Sequence, residues 1–197
     1  MQIVLASGSP RRRELLALIT EKFTVCPADA DETLRPGAPL DEEVVRLSRL
    51  KAQAAQQLHP EAVCIGSDTM VTIDGLPLGK PADEAQAADM LRRLRGRTHE
   101  VLTGLAVLPP QGEARTLCTR TRVTFRAFDE DELAAYLATG EPLDKAGAYG
   151  IQGHGALLID GIEGDYYSVM GLPVAGLHVI LRQIARETCE NRRCLEQ

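Results

Sequence analysis

The sequence predicts an α/β protein built on one mixed β-sheet. Short apolar runs of strand length alternate with longer runs of helical period, which is the signature of strands and covering helices. Hairpin signals such as Asp74-Gly75 interrupt that alternation, so the sheet cannot be purely parallel. No internal repeat or low-complexity linker divides the 197 residues, so residues 1–197 read as one domain, with a polar tail at 187–197 expected to fray.

The elements follow in order. Gln2 to Ala6 is a short apolar run, read as a buried strand. Ser7-Gly8-Ser9 is a loop; Ser9 suits an N-cap and Pro10 the first helical position, opening a helix to about Ile19. A strand follows near Phe23 to Cys26, then a loop rich in Pro, Asp and Gly. Asp41 is expected to cap a second helix to about Leu58, with Val44, Leu47, Ala54 and Leu58 on its buried side. Ala62 to Gly66 reads as a strand ending just before Asp68, and Met70–Ile73 and Leu76–Leu78 as a hairpin. Asp83 opens a third helix and Gly96 closes it. Val101–Leu108 and Leu117–Phe125 read as strands, the second alternating polar and apolar residues. Asp129 to Thr139 is a helix stopped by Gly140, and a Gly-rich loop runs from Asp144 to Gly153. A second hairpin is expected at Ala156–Ile159 and Ile162–Val169, and Gly171-Leu172-Pro173 opens a last helix to about Arg186.

Composition removes several classes of function. The formal net charge is −6, so the chain does not attract a polyanion over its whole surface; phosphate would need a local cluster such as Arg11-Arg12-Arg13. Aromatics are 4% and Trp is absent, which argues against a stacking platform for single-stranded nucleic acid. The five cysteines form no CxxC pair and the four histidines do not fall at zinc spacing, so neither a disulfide framework nor a structural zinc is expected. No run is long enough to span a membrane and no signal peptide is visible, which makes the expected location cytoplasmic.

Several places can carry chemistry. Between Ser7 and Arg13 a strand, a small-residue loop and a helix start follow one another, and a helix N-terminus offers free N–H groups to an anion. Arg11 and Arg12 lie in the first turn, where the helix dipole disfavours cations; a bound phosphate would offset that conflict, although a solvated basic patch explains it equally well. The loop lacks the Gly-Lys-Ser/Thr end of a P-loop and the GxGxxG of a dinucleotide site. Asp68, following an apolar strand, can bind a divalent cation or orient water, although a turn-capping aspartate is the plainer local reading. Asp29, Asp31 and Glu32 form an acidic run that could share a Mg²⁺ or simply be solvated. Lys51, Lys80 and Lys145 suit a scattered phosphate clamp, with surface lysines as the default. There is no GxSxG and no Ser or Cys motif with a His partner, so direct attack by water is favoured over a covalent intermediate.

Taken together, Leu5-Ala6-Ser7-Gly8-Ser9-Pro10-Arg11-Arg12, Gly66-Ser67-Asp68-Thr69, Gly79-Lys80-Pro81, the segment Asp144 to Gly153 and Gly171-Leu172-Pro173 occur in the order seen in the Maf family, which the chain resembles from Met1 to about Arg186. The resemblance implies a Maf/inosine-triphosphatase-like fold, an elongated mixed β-sheet flanked by helices with a deep cleft between two lobes. It also implies cleavage of the α–β phosphate bond of a nucleoside triphosphate with a divalent metal cation, Mg²⁺ or Mn²⁺, and it favours a homodimer. Asp68 matches the family's catalytic acidic residue; Ser7, Arg11, Arg12, Glu32, Lys51 and Lys80 match cleft positions that handle phosphate and metal, Glu32 and Asp68 being the metal candidates. The branch acting on 7-methyl-GTP resembles Ser-Pro-Trp, Ser-Asp-Gln and Ser-Glu-Gly where this chain has Ser9-Pro10-Arg11, Ser67-Asp68-Thr69 and Ile151-Gln152-Gly153. Arg11, Thr69 and Gln152 therefore point to dTTP and UTP. The Gln152 amide donates and accepts at once, which suits the O4/N3–H edge of thymine or uracil. Two other readings accompany this one: a hydrolase of non-standard nucleotides, and a regulator of septum formation acting by binding.

Overall fold

The computed structural model describes residues 1–27 and 30–195, with side chains as far as residue 189. These residues gather into two compact units: unit 1 takes Met1–Asp68, Gly104–Cys118 and Gly171–Gln197, and unit 2 takes Thr69–Thr103 and Thr119–Met170. A mixed seven-stranded sheet supplies strands to both, and three long strands have residues in each.

In unit 1, β1 (Ile3–Leu5) pairs in parallel with β2 (Thr24–Val25) on one side and with β3 (Val63–Ile73) on the other. Ser9 caps α1 (Pro10–Ala17), its side chain accepting from the Arg12 N–H, and Pro10 takes the first turn as expected. α2 (Leu40–Leu58) lies against the sheet on small residues: Val4, Ala6, Ala55, Ala62 and Cys64 form one buried cluster. Two glycines set how closely it approaches. A Cβ on Gly66 would stand 2.1 Å from the Ser48 carbonyl oxygen, and one on Gly104 would stand 2.4 Å from that of Val44. The last helix of this unit, running Val174–Leu195, continues past the expected stop at Arg186.

In unit 2, Asp74 (φ 55°) and Gly75 (φ 74°) make the two-residue turn that folds β4 (Leu76–Leu78) antiparallel onto β3. The third helix, α3 (Glu84–Leu94), starts at the Asp83 cap; β5 (Thr98–Leu108) and β6 (Arg115–Phe125) follow. A capping box between Asp129 and Glu132 opens α4 (Glu130–Leu137). Three 3₁₀ turns occupy Glu141–Asp144, Ala146–Ala148 and Gly153–Leu158, before β7 (Ile159–Glu163), α5 (Tyr166–Met170) and α6, the Val174–Leu195 helix already placed in unit 1. Leu91, Leu94, Val123, Phe125 and Leu133 are among the side chains of its buried core. Each large apolar side chain so buried contributes about 1.5–3 kcal/mol.

Three sequence expectations are corrected. β3 does not end before Asp68 but continues through it to Ile73. The triplet Ser67-Asp68-Thr69 is polar, yet the fully buried Ser67 hydroxyl lies 2.8 Å from the carbonyls of both Gly104 and Gly171, so its polarity is satisfied inside the sheet. The second hairpin is absent: β7 pairs antiparallel with β6, and residues 166–170 are helical behind Asp165, whose carboxylate accepts from Tyr167 N–H and the Ser168 hydroxyl. Asp41 lies inside the first turn of α2, and Pro39 occupies the cap position. No described helix is long and apolar enough to cross a membrane.

Candidate active site

Unit 1 brings together six of the residues named from the sequence: Ser7, Arg11, Arg12, Glu32, Lys51 and Asp68. The loop after β1 delivers Ser7, and the first turn of α1 delivers Arg11 and Arg12. Arg12 donates through Nε to the Gly171 carbonyl at 2.9 Å and through a terminal nitrogen to the Ser7 hydroxyl at 3.3 Å. The Gly171 carbonyl thus receives both Arg12 and Ser67, which gives the Gly171-Leu172-Pro173 motif a structural role in holding the site. Gly171 turns with φ 117°, a conformation open to glycine.

Lys51 projects from α2 and is buried. Its ammonium donates to Asp68 at 2.6 Å and pairs with Glu32 at 3.0 Å. The close seating of α2 at Gly66 and Gly104 places Lys51 opposite Asp68. Asp68 is itself buried, whereas Glu32 is exposed on its loop. Burial pulls the Arg12 guanidinium below its ordinary range; the charges of Asp68 and Glu32 oppose that shift and the neighbouring Arg11 reinforces it. The half-buried Arg11 thus adds positive charge at the same helix start. Of the acidic run, Asp31 accepts from Thr33 N–H at 2.9 Å, and Asp29 lies outside the described residues.

Glu43, which sequence reading passed over, fixes the loop that carries Glu32. Its fully buried carboxylate pairs with Arg35 at 2.6 Å and Arg46 at 2.7 Å, while Arg46 also donates to the Thr33 carbonyl at 2.7 Å. Hydrogen bonds from Arg46 and Arg35 hold the Glu43 carboxyl down to about 2. A glutamate in the first turn of a helix reads as an ordinary dipole partner, so nothing in the sequence singled it out.

Unit 2 carries Thr69, Lys80, Lys145 and Gln152. The Thr69 hydroxyl lies 3.2 Å from that of Thr103, which donates to the Ser168 carbonyl at 2.7 Å. Lys80 is exposed after Gly79, whose carbonyl accepts from Gly147 N–H at 3.0 Å, so the Gly79-Lys80-Pro81 segment and the Gly-rich loop meet. The Lys145 ammonium is engaged by the Glu141 carbonyl and the Asp144 carboxylate, each at 2.7 Å. Gln152 is exposed. Beneath the loop, the buried Tyr149 hydroxyl lies 2.7 Å from His99 Nε2, and His99 Nδ1 is buried without a partner. Burial lowers the His99 imidazole to about 4 and pushes the Tyr149 phenol up.

In unit 1 the arrangement has the parts of a phosphate-handling centre: N–H groups at a capped helix start, two arginines, and a lysine between two carboxylates. Mg²⁺ is commonly held by one or two carboxylates completed by substrate phosphates and water. Glu32 and Asp68, brought together on the Lys51 ammonium, fit that donor set. No cluster of three His, Cys, Asp or Glu side chains suited to a metal occurs among the described residues.

Residues 2–184 match the family model described as Maf-like protein. A protein of Bacillus cytotoxicus named dTTP/UTP pyrophosphatase is 47% identical over 182 residues, covering 92% of this chain and 95% of its own. One of Moorella thermoacetica with the same name is 50% identical over 181 residues, covering 91% and 93%. Among solved structures, the Staphylococcus aureus Ham1 protein resembles 64% of this chain and 72% of its own at 18% identity, with a TM-score of 0.48. With the family model spanning nearly its whole length and relatives near half identical, this chain belongs to the Maf family.

Proposed function

We propose that the protein is a nucleoside triphosphate pyrophosphatase that hydrolyses the α–β phosphate bond of dTTP and UTP to the monophosphate and pyrophosphate. The observation that carries this reading is the buried Asp68 carboxylate, held on Lys51 beside Glu32 and close enough to Arg12 for their charges to interact. The names of the Bacillus and Moorella relatives support the choice of substrate.

The mechanism follows from charge. Arg11, Arg12, Lys51 and Lys80, with the Ser7 hydroxyl, neutralise the triphosphate. Lys145 would join them only by leaving Asp144. Asp68 accepts a proton from the attacking water; the anhydride P–O bond breaks and pyrophosphate leaves with its electron pair. The buried Lys51 orients Asp68, and Lys51 in turn is released toward phosphate oxygens as substrate arrives. A divalent cation, Mg²⁺ or Mn²⁺, would be held by Glu32 and Asp68 and would supply charge neutralisation at the phosphates. Gln152, with Arg11 and Thr69, sets the choice of base.

The protein is further proposed to be cytoplasmic and homodimeric. Cell fractionation tests the first and light scattering the second. The central test is a triphosphate panel of dTTP, UTP, CTP, 7-methyl-GTP and inosine triphosphate with Mg²⁺ or Mn²⁺. Release of pyrophosphate, fastest from dTTP and UTP, is expected. Orthophosphate as the product, or a preference for inosine, would overturn the assignment.

A further inference from the structure

Glu141 stands at the start of the first 3₁₀ turn, and the Gly-rich loop wraps around its carboxylate. One oxygen, Oε1, accepts from the Tyr136 hydroxyl at 3.2 Å and Gly155 N–H at 3.3 Å; the other, Oε2, accepts from His154 N–H at 3.0 Å. Tyr136 in turn accepts from Gly150 N–H at 3.2 Å. Backbone N–H groups of residues 150, 154 and 155 are therefore tied, directly or through one hydroxyl, to a single carboxylate. The loop presses on it: a Cβ at Gly150 would come within 3.0 Å of Glu141 Oε1, and one at Gly153 within 2.8 Å of Oε2. Gly153 has φ 68°, and Ala148 is held at φ 60°, a conformation that an L side chain resists, so this loop is fixed by its surroundings. Gln152 sits in the arc between those anchored residues, extended (φ −101°, ψ 168°) and exposed.

We propose that Glu141 is the positioning residue for Gln152: it sets the pose of the base-reading amide and so the choice among pyrimidine triphosphates. This rests on the reading of Gln152 given above. The chemistry is specific to a carboxylate. Three donors converge on two oxygens, and only a group that accepts on both satisfies them. The amide of glutamine has one accepting oxygen, so Glu141→Gln would turn an N–H toward either His154 N–H or the Tyr136 and Gly155 donors.

The experiment compares Glu141→Gln, Gln152→Ala and the double variant in the full chain. For each, kcat and KM are measured on dTTP, UTP and CTP, and amide hydrogen exchange at residues 150–155 is followed. Glu141→Gln is expected to raise exchange across these residues and to lower the preference for UTP over CTP, which differ in the base alone, toward that of Gln152→Ala. The double variant should be no less selective than Gln152→Ala, because Glu141 acts through Gln152. Tyr136→Phe, which removes one donor and leaves the carboxylate, should give an intermediate loss and serves should Glu141→Gln fold poorly. Unchanged exchange in Glu141→Gln, or losses that add in the double variant, would overturn the positioning role. Unchanged selectivity in Gln152→Ala would instead overturn the base-reading assignment, and the functional part of this proposal with it; raised exchange in Glu141→Gln would still support the anchor.

Discussion

In unit 1, Lys51 lies between two carboxylates; in unit 2, Glu141 lies among backbone N–H groups and a tyrosine hydroxyl. The first arrangement is charge against charge in a buried setting. Any substrate phosphate entering there exchanges one ionic partner for another, so the site is built to trade charges. The second is a carboxylate held by backbone N–H groups and a hydroxyl, with the His154 imidazole 3.6 Å away. Its hydrogen bonds tie down backbone atoms of the loop. The comparison separates two kinds of arrangement: unit 1 holds paired charges that an anion can exchange, and unit 2 holds a loop backbone in place.

The sharpest way to break this division is Asp68→Asn. The amide keeps the shape and can still accept from Lys51, while the charge and the basic oxygen are lost. Loss of a general base typically costs about 10²–10⁴-fold in rate. kcat on dTTP is expected to fall by at least that factor with pyrimidine ranking unchanged. A variant within a few-fold of wild type would remove Asp68 from the chemistry.

A smaller effect is expected from the cations. A hydrogen bond to a charged group is worth about 1.5–3 kcal/mol, or roughly 10- to 150-fold in affinity. Lys80 is exposed, so Lys80→Ala should weaken dTTP and UTP alike by about that range while leaving the melting temperature near wild type. Arg12→Ala should weaken both to a similar degree but also lower stability, because Arg12 holds the Gly171 carbonyl and the Ser7 hydroxyl. Binding isotherms alongside thermal melts distinguish the two; unweakened binding in Lys80→Ala would take that lysine out of the clamp.

What the sequence made legible follows the same division. The Ser9 cap, Pro10 and the Asp74-Gly75 turn are local chemistry, and each forms where expected; the helix expected from Asp129 opens on an Asp129–Glu132 capping box. Asp68, Lys51 and Glu32 lie in separate segments, and their convergence depends on Gly66 and Gly104 letting α2 approach the sheet. That approach is a tertiary fact with no local signature. β3 was cut short because Ser67-Asp68-Thr69 is polar, and the partners that satisfy Ser67 come from residues 104 and 171. Glu141 and Glu43 were missed for a related reason: a carboxylate near a turn or helix start has an ordinary local explanation, and only its distant donors reveal more.

The two units should also separate on acidification. His99 is neutral in the folded protein, with its ordinary value of 6.5 lowered to about 4 by burial. The unfolded chain therefore binds this proton first. The stability from keeping His99 neutral is complete above pH 6.5 and is lost as pH falls from there toward 4. From pH 7.5 to 5 the loss is about 2 kcal/mol, using about 1.4 kcal/mol per unit. Glu43, lowered from 4.5 to about 2, adds its own loss only below pH 4.5. Hydrogen exchange at pH 5 should thus show unit 2 loosened around Tyr149 while α2 stays protected. His99→Gln should flatten the pH dependence of urea midpoints between 7.5 and 5; an undiminished slope in that variant would assign it to another group.

The smallest expected effect concerns the thymine methyl group, and it tests whether unit 2 chooses by hydrogen bonds. dTTP and UTP differ in both base and sugar, so the informative pair is dTTP and dUTP, which differ by the methyl alone. A buried methyl contributes about 0.8 kcal/mol, or roughly fourfold. A reversed donor–acceptor edge, as in cytosine, costs about 1–3 kcal/mol, roughly 5- to 150-fold, because buried polar groups are left unpaired. Gln152 stands between Ile151 and Gly153, and of its neighbours from Gly150 to Gly153 only the half-buried Ile151 carries an apolar side chain. kcat/KM for dTTP and dUTP should therefore agree within about fivefold, with dCTP well below both. Gln152→Glu should compress the gap to dCTP and leave the dTTP-to-dUTP ratio where it was. A preference for dTTP over dUTP larger than that over dCTP would mean that the site reads the base by its apolar edge, and the assignment of Gln152 as the reader would have to be given up.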